Sequence, residues 1–380
     1  MNSNELRLAL CPIPFLNSLG DNQHGLLQLR ADRWLVWHPD LIGWIFRSDR
    51  SLRHPASRTL GPLLGSRSLL WLDGVEHTGY RRVIGPALRG KHLVSYRDVI
   101  DQVVRQAIDD LPPGDRVGLA KWTREITLRV IMRIVLGVED AVLVARFTGW
   151  LDRELGCRVR TLAHRYLGRG VPRFDHEVDR MLLRLAKNAQ PPALAALLPA
   201  TDDVDLRDQL VSLLFAGHET TASATAWTVY WLDRNPVVRK EILGQLDGDA
   251  PLLTAVILES LRLCPPATLA GNRVTAEGVV LTPSIYLAHH HRDRFPEPEA
   301  FDHRRFLGDH VPGQHFFPFG GGVRHCLGNE LALLEIRMIV TALLRRRDWR
   351  CVRPRTCAPA LRGAAMAPPA SLRMVTTCRR

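Results

Sequence analysis

A mainly α-helical chain with a small β-sheet, folding as one domain over residues 1–380, is what this sequence predicts. Apolar residues recur at helical spacing in most of the chain, only two short stretches alternate like strands, and neither an internal repeat nor a clean linker divides it. Composition agrees: 46% hydrophobic and 24% charged residues are enough to bury a sizeable core and argue against disorder.

In chain order, Trp34 to His38 reads as a short strand, and Pro39 opens a helix to about Phe46, its fixed φ suiting the first turn. Residues 51–72, with Pro55, Gly61, Pro62 and Gly65, read as a loop. A helix from Glu76 to about Leu88 carries His77 and Arg81 one turn apart, hence on one face. Helices follow over about 96–111, 120–136, 141–156 and 174–187. The longest pattern runs from Leu206 to about Leu232 and stops at Asn235-Pro236. Another helix spans Pro251 to Leu263, residues 273–288 alternate like strands, and a Pro- and His-rich loop leads to a last helix over about 327–346. The tail, 352–370, rich in Pro, Ala and Arg, is expected to be irregular.

The net charge is +12, almost all from arginine, since Lys91, Lys121, Lys187 and Lys240 are the only lysines. Such a field attracts acidic partners. Seven scattered cysteines without a CxxC form no disulfide framework, so a reducing cytoplasm is expected. No stretch reaches the roughly 18 apolar residues of a membrane span. A soluble, unanchored monomer is expected.

The sharpest chemical feature is Phe319-Gly320-Gly321-Gly322-Val323-Arg324-His325-Cys326-Leu327-Gly328, directly before a helix. The glycines permit positive φ and close approach to something flat. A cysteine at a helix N-terminus meets free N–H groups that favour thiolate. With no second ligand at metal-finger spacing, it suits an axial position of haem iron. A phosphate loop would want Gly-Lys-Ser/Thr, which is missing. A Cys–His pair through His325 and a simply buried cysteine stay open as readings.

In the middle of the longest helix stands Ala216-Gly217-His218-Glu219-Thr220-Thr221. Glycine there costs about 1 kcal/mol against alanine, so it is expected to provide clearance. The Thr220 hydroxyl can bond back to a carbonyl one turn earlier and open a groove, and Glu219 beside it can relay protons. His218 reads as packing or pocket lining. Glu259 and Arg262 share a helix face and can form an ion pair. His289-His290-His291 are consecutive and poorly placed to chelate one ion, and Arg345-Arg346-Arg347 read as a solvated face at a helix C-terminus.

Three of these pieces together resemble the cytochrome P450 superfamily, soluble bacterial type. They are the Phe-x2-Gly-x3-Cys-x-Gly signature at 319–328, the Ala216–Thr221 stretch, and Glu259-x-x-Arg262 followed by Phe301 and Arg304-Arg305-Phe306. Order and spacing agree from about residue 34 onward; His303 stands where the family usually has proline. The resemblance implies the P450 fold, with haem b between the central long helix and the last helix. It implies Cys326 as axial ligand of the iron, with Phe319, Gly322, Gly328, Ala216 and Gly217 against the cofactor. It places His77, Arg81, Arg273 and Arg324 at the propionates, where arginine's planar fork suits carboxylate. Glu219 and Thr220 become the catalytic proton-delivery pair, and Arg305 joins Glu259 and Arg262 in a buried network.

The activity implied is a haem-thiolate monooxygenase. It would use O2, a small hydrophobic or amphipathic substrate, and electrons from a separate acidic ferredoxin-type donor docking near Arg82, Arg89 and Lys91. The substrate would lie among the 52–70 loop, the 145–175 segment, Leu213 to Gly217, Ala267 to Gly271 and the loop around Met366. Oxidative coupling or other haem chemistry on the same fold is the alternative, and a non-catalytic recruitment role a further one. A nucleic-acid binder is disfavoured.

Overall fold

A computed structural model describes residues 3–20, 22, 24–55, 60–156, 174–308, 315–352, 357–363 and 365–378. Two short helices, α1 (Ser3–Leu10) and α2 (Pro12–Asn17), precede strands β1 (Leu26–Arg30) and β2 (Arg33–Val36). Helices α3 (Pro39–Arg47), α4 (Gly61–Leu64), α5 (Gly74–Ile84) and α6 (Val94–Asp109) follow. Strand β3 (Arg116–Gly118) leads into α7 (Leu119–Leu136), α8 (Ala141–Leu155) and α9 (His176–Lys187). The longest helix, α10 (Asp203–Arg234), is followed by α11 (Pro236–Leu243) and α12 (Pro251–Leu263). Then come β4 (Arg273–Val274), β5 (Val280–Pro283), α13 (Ile285–His289), α14 (Asn329–Arg346), β6 (Arg347–Val352), β7 (Ala360–Arg362), β8 (Ala365–Ala367) and β9 (Arg373–Cys378).

Local chemistry sets the helix ends. Asp73, Asp140, Asp175 and Asp202 each accept backbone N–H groups at the start of α5, α8, α9 and α10. Prolines 39, 236 and 251 open α3, α11 and α12, where a missing N–H costs nothing. Gly137, at φ 77°, closes α7 in the left-handed conformation.

One sheet has the order β1-β2-β5-β4, with β2 and β5 parallel and the other pairs antiparallel. The second is β3-β9-β6, and β7 with β8 forms a hairpin. Helix α10 is buried on nearly all sides, with α7, α12 and α14 packed around it in one apolar core. A smaller core joins Val36, Ile42, Ile45, Phe46, Leu52, Ile285, Ala288 and Phe317 between α3, α13 and the segment before Cys326.

Two expectations need correction. The tail, of which 353–356 and 364 lie outside the described residues, is not irregular throughout: Ala360–Arg362 pairs with Ala365–Ala367 as the β7–β8 hairpin, and Met366 is buried with its carbonyl accepting from Ser223 Oγ and Trp227 Nε1 on α10. The strand-like run at 273–288 turns helical at Ile285, where the Ser284 hydroxyl accepts the Leu287 N–H as a cap. Helices α1, α2 and α11 were not anticipated, nor was α4 within the expected 51–72 loop. None of the described helices is long and apolar enough to cross a membrane.

Candidate active site

The cysteine loop is built by backbone hydrogen bonds and by glycines at particular φ. Gly320 N–H donates to Phe317 O at 2.9 Å and Cys326 N–H to Phe319 O at 2.9 Å. Gly320 and Gly322 have φ of 67° and 65°, the region that favours glycine. The flat object beneath Gly321 is the Phe46 ring, 2.4 Å from where a Cβ would stand, and the space at Gly322 belongs to the Asp49 carboxylate at 2.2 Å. Both sit on the α3 side of the loop.

Cys326 is accessible, although it lies deep in the fold, three residues before α14. Burial pushes its thiol up; the Gly328 amide and the Arg81 guanidinium pull it down without cancelling that effect. A metal bound there would displace the thiol proton. Arg81 Nη2 also donates to His325 O at 2.7 Å, tying α5 to the loop. Leu327 packs on Gly85 at the end of α5, so this segment covers the cysteine side.

Across from this, α10 carries an accessible stripe in its otherwise buried middle. Leu213 and Gly217 are half-buried and Ala216 and Thr220 exposed, at the i, i+3, i+4, i+7 spacing of one helix face. Thr220 Oγ1 donates to Ala216 O at 2.8 Å, the back-bond that the sequence predicts. Gly217 provides clearance toward α7, because a Cβ there would lie 2.6 Å from Ile131.

Glu219 turns away from Thr220 into a narrow crevice lined by Thr123 and Arg124 of α7, Ser223, and Arg362 of the hairpin. Arg124 Nη2 lies 2.5 Å from Glu219 Oε1, and His218 Nε2 lies 3.4 Å away. Burial pushes the Glu219 carboxyl up, but His218, Arg124 and Arg362 together hold it below its usual range. Glu219 is therefore an ionised, paired carboxylate. His218 is wholly buried against Phe147, its Nδ1 within 3.2 Å of Leu214 O, which fits the packing role and adds contact with Glu219.

The four proposed carboxylate-binding groups lie near the cysteine loop. His77 is pushed down to about 4 by burial and by Arg324 and Arg81. Arg81 and Arg324 are themselves lowered by burial and by neighbouring cations, Arg89 in the first case and Arg273 and Arg81 in the second. Partly buried cations that depress one another make a site suited to an anion. Arg324 donates to the carbonyls of Leu69 and Leu72, and its Nε is buried without a hydrogen-bond partner among the described residues. Arg273 is already engaged, its Nε 2.7 Å from Asp49 Oδ1. An accessible sulfur donor and an orphaned guanidinium N–H in a cationic cluster together fit an iron porphyrin with two carboxylates.

The Glu259–Arg262 pair is bidentate, at 2.7 and 2.8 Å, and fully buried. Arg305 completes the network at 3.7 Å from Glu259 Oε1, and the Asp302 amide donates to the same oxygen at 2.8 Å. A short 3-10 turn forms at His303–Phe306 without the usual proline. Arg262 Nη1 holds His289 O at 2.9 Å, and the His289 ring accepts the Phe317 N–H at 2.8 Å. The ion pair thereby supports the cysteine loop through one histidine. His290 Nδ1 lies 2.8 Å from Tyr286 O and His291 packs on His38; among the described residues no group of His, Cys, Asp or Glu could hold a metal ion.

Asp49, Arg124 and Arg362 were invisible as site residues, because each is brought in from a distant part of the chain. Of the expected substrate-lining positions, Ala267 and Gly271 are exposed and Leu269 and Ala270 half-buried, whereas Met366 is buried. Residues 56–59 and 157–173 of the expected lining lie outside the described residues.

The family profile described as Cytochrome P450 matches residues 179–373. Cytochrome P450 135A1 of Mycobacterium tuberculosis is 33% identical over 360 residues, covering 83% of this chain and 79% of that protein. Cytochrome P450 135B1 of Mycobacterium bovis is 31% identical over 351 residues, covering 81% and 74%. Among solved structures, the retinoic acid-bound cyanobacterial CYP120A1 superposes with a TM-score of 0.85 at 23% identity, covering 99% of this chain and 96% of that one. The cytochrome P450DA heme domain gives 0.81 at 19% identity, covering 97% and 92%. Identity of a third over most of both chains settles what the motifs suggested: this chain belongs to the cytochrome P450 family, and is a haem-iron monooxygenase of the oxidoreductase class.

Proposed function

We propose that this P450 inserts one atom of O2 into a small hydrophobic or amphipathic organic substrate, holding haem b through the Cys326 thiolate and taking electrons from a separate acidic ferredoxin-type donor. The observation that carries the reading is the accessible Cys326 at the head of α14, with the Gly328 amide and Arg81 beside its sulfur. Haem, when bound, supplies the redox and oxygen-transfer chemistry.

The chain's own residues supply the rest. The Gly328 N–H and Arg81 temper the charge on the Cys326 sulfur. His77, Arg81, Arg273 and Arg324 orient the haem carboxylates, with Phe319, Gly322, Gly328, Ala216 and Gly217 around the ring. Thr220 Oγ1 spends its proton on Ala216 O, which leaves its lone pairs to hold a water in the groove. Glu219 can take a proton from the solvent side, because Arg124 also contacts the half-exposed Asp152 at 3.0 Å. It passes that proton on only after leaving Arg124. Small apolar side chains such as Ala216, Ala267 and Leu269 favour an apolar ligand surface. Arg82, Arg89 and Lys91 are exposed on the segment that covers the cysteine side, which supports donor docking there.

The deciding measurement is the spectrum of the purified protein, reduced and exposed to carbon monoxide. A red-shifted Soret band that is lost in Cys326→Ser is expected. A spectrum like that of a histidine-ligated globin, or no haem in the parent, overturns the reading.

A further inference from the structure

Two of the arginines assigned to the haem carboxylates, Arg273 and Arg324, come from distant parts of the chain, yet a row formed by Asp49, His54 and Asp73 joins them. Arg273 Nε and Nη2 contact Asp49 Oδ1 and Oδ2 at 2.7 and 3.4 Å. Asp49 Oδ1 lies 3.0 Å from His54 Nε2. His54 Nδ1 lies 3.1 Å from Asp73 Oδ1, which is 3.5 Å from Arg324 Nη2. The side chains of Asp49, Arg273 and His54 are 1%, 3% and 7% exposed, so little solvent screens the middle of the row.

Asp49 is held as a carboxylate: burial pushes its carboxyl up, yet His54 and Arg273 bring it down to about 2. The guanidinium groups of Arg273 and Arg324 contact Asp49 and Asp73, so the two aspartates offset part of the positive charge that would meet the two propionates of a haem. Asp49 also reaches the cysteine loop. Its Oδ2 accepts the Val323 N–H at 2.8 Å and fills the space beside Gly322.

We propose that Asp49, bridged by His54 to Asp73, is a positioning residue that joins the carboxylate-binding arginines to the cysteine loop as one unit. It touches neither substrate nor haem. It sets the orientation of the groups that do, and the net charge around them. The charge-matching part rests on the haem reading; the loop-holding part does not.

The test uses Asp49→Asn, which keeps the shape and removes the charge. In the haem-free chain, alkylation of Cys326 by iodoacetamide, read peptide by peptide by mass spectrometry, is expected to quicken on the order of tenfold, the ratio for one charge-assisted hydrogen bond. The exposed Cys11 and Cys378 should keep their parent rates, which separates local loosening from global unfolding. In the haem-loaded protein, loss of a buried negative charge should move the reduction potential upward, a readout that packing alone would not shift. Alkylation of Cys326 no faster than in the parent, or faster only in step with Cys11 and Cys378, overturns the loop-holding part. An unchanged potential overturns the charge-matching part. Should Asp49→Asn not fold, His54→Gln decides by the same two readouts, since it removes the ring that bridges Asp49 and Asp73. The parent's carbon-monoxide spectrum reports on the haem reading separately.

Discussion

Replacing Arg124 with methionine removes the charge that faces Glu219 while keeping a side chain of similar length. Glu219 is then a buried carboxylate left with His218 at 3.4 Å and the more distant Arg362. Breaking a buried pair costs about 3–5 kcal/mol. The lower end, about 3 kcal/mol, is expected here, because two partners remain and the other contact of Arg124, Asp152, is 51% exposed. The pH dependence carries the diagnosis. Glu219 titrates below its ordinary 4.5 in the fold, so its charge contributes stability above that value, and the contribution is lost as pH falls through the lower folded value. Without Arg124 burial is less opposed, the folded value rises, and the charged group becomes a liability at neutral pH. The stability gap between parent and Arg124→Met should therefore be widest near neutrality. It should narrow on acidification, beginning on the neutral side of 4.5. Urea unfolding followed by far-ultraviolet circular dichroism from about pH 7 to about pH 4 measures it. A gap that stays constant across that range would refute the electrostatic argument and leave only lost packing of the Arg124 stem.

Thr220→Ala should keep fold, haem and carbon-monoxide spectrum but release reducing equivalents as peroxide or water, with product per electron falling by about 10²-fold or more. Glu219→Gln should instead slow turnover as a whole; the ratio of product to electrons consumed in each variant distinguishes the two roles. Charge reversal at Arg82 and Arg89 should slow reduction by an acidic ferredoxin and flatten its salt dependence, with substrate affinity unchanged in a binding titration. Gly217→Ala should destabilise by about 1–3 kcal/mol through collision with Ile131, and Ile131→Ala in the same chain should recover part of that in thermal unfolding.

What could be read from the sequence was whatever depends on neighbours in the chain. The Pro251–Leu263 helix, the 3.6-residue rhythm of α10, the Thr220 back-bond and the Glu259–Arg262 pair all rest on residues within about one turn of each other. The glycines at 320 and 322 were legible as positive-φ positions, but not as seats for Asp49, because nothing near residue 49 signals a partner in the cysteine loop. Glu219 was legible as an acid but its partners were not: Arg124 and Arg362 approach from α7 and from the hairpin, and pairing across such distances follows from tertiary packing alone.

The anchoring of the β7–β8 hairpin bears on the order in which this protein becomes itself during synthesis. Met366 O is gripped by Ser223 and Trp227, Arg362 closes one wall of the crevice around Glu219, and β9 pairs with β3 just ahead of the helix that carries Arg124. Helices α7 and α10 have long left the ribosome by the time residues 360–378 are made. Until then Glu219 lacks the Arg362 side of its crevice, and β3 lacks its partner strand. The polar crevice around Glu219 is thus closed only by residues translated well over a hundred positions after it, and a ribosome stalled between the two would carry α7 and α10 without the wall that Arg362 supplies.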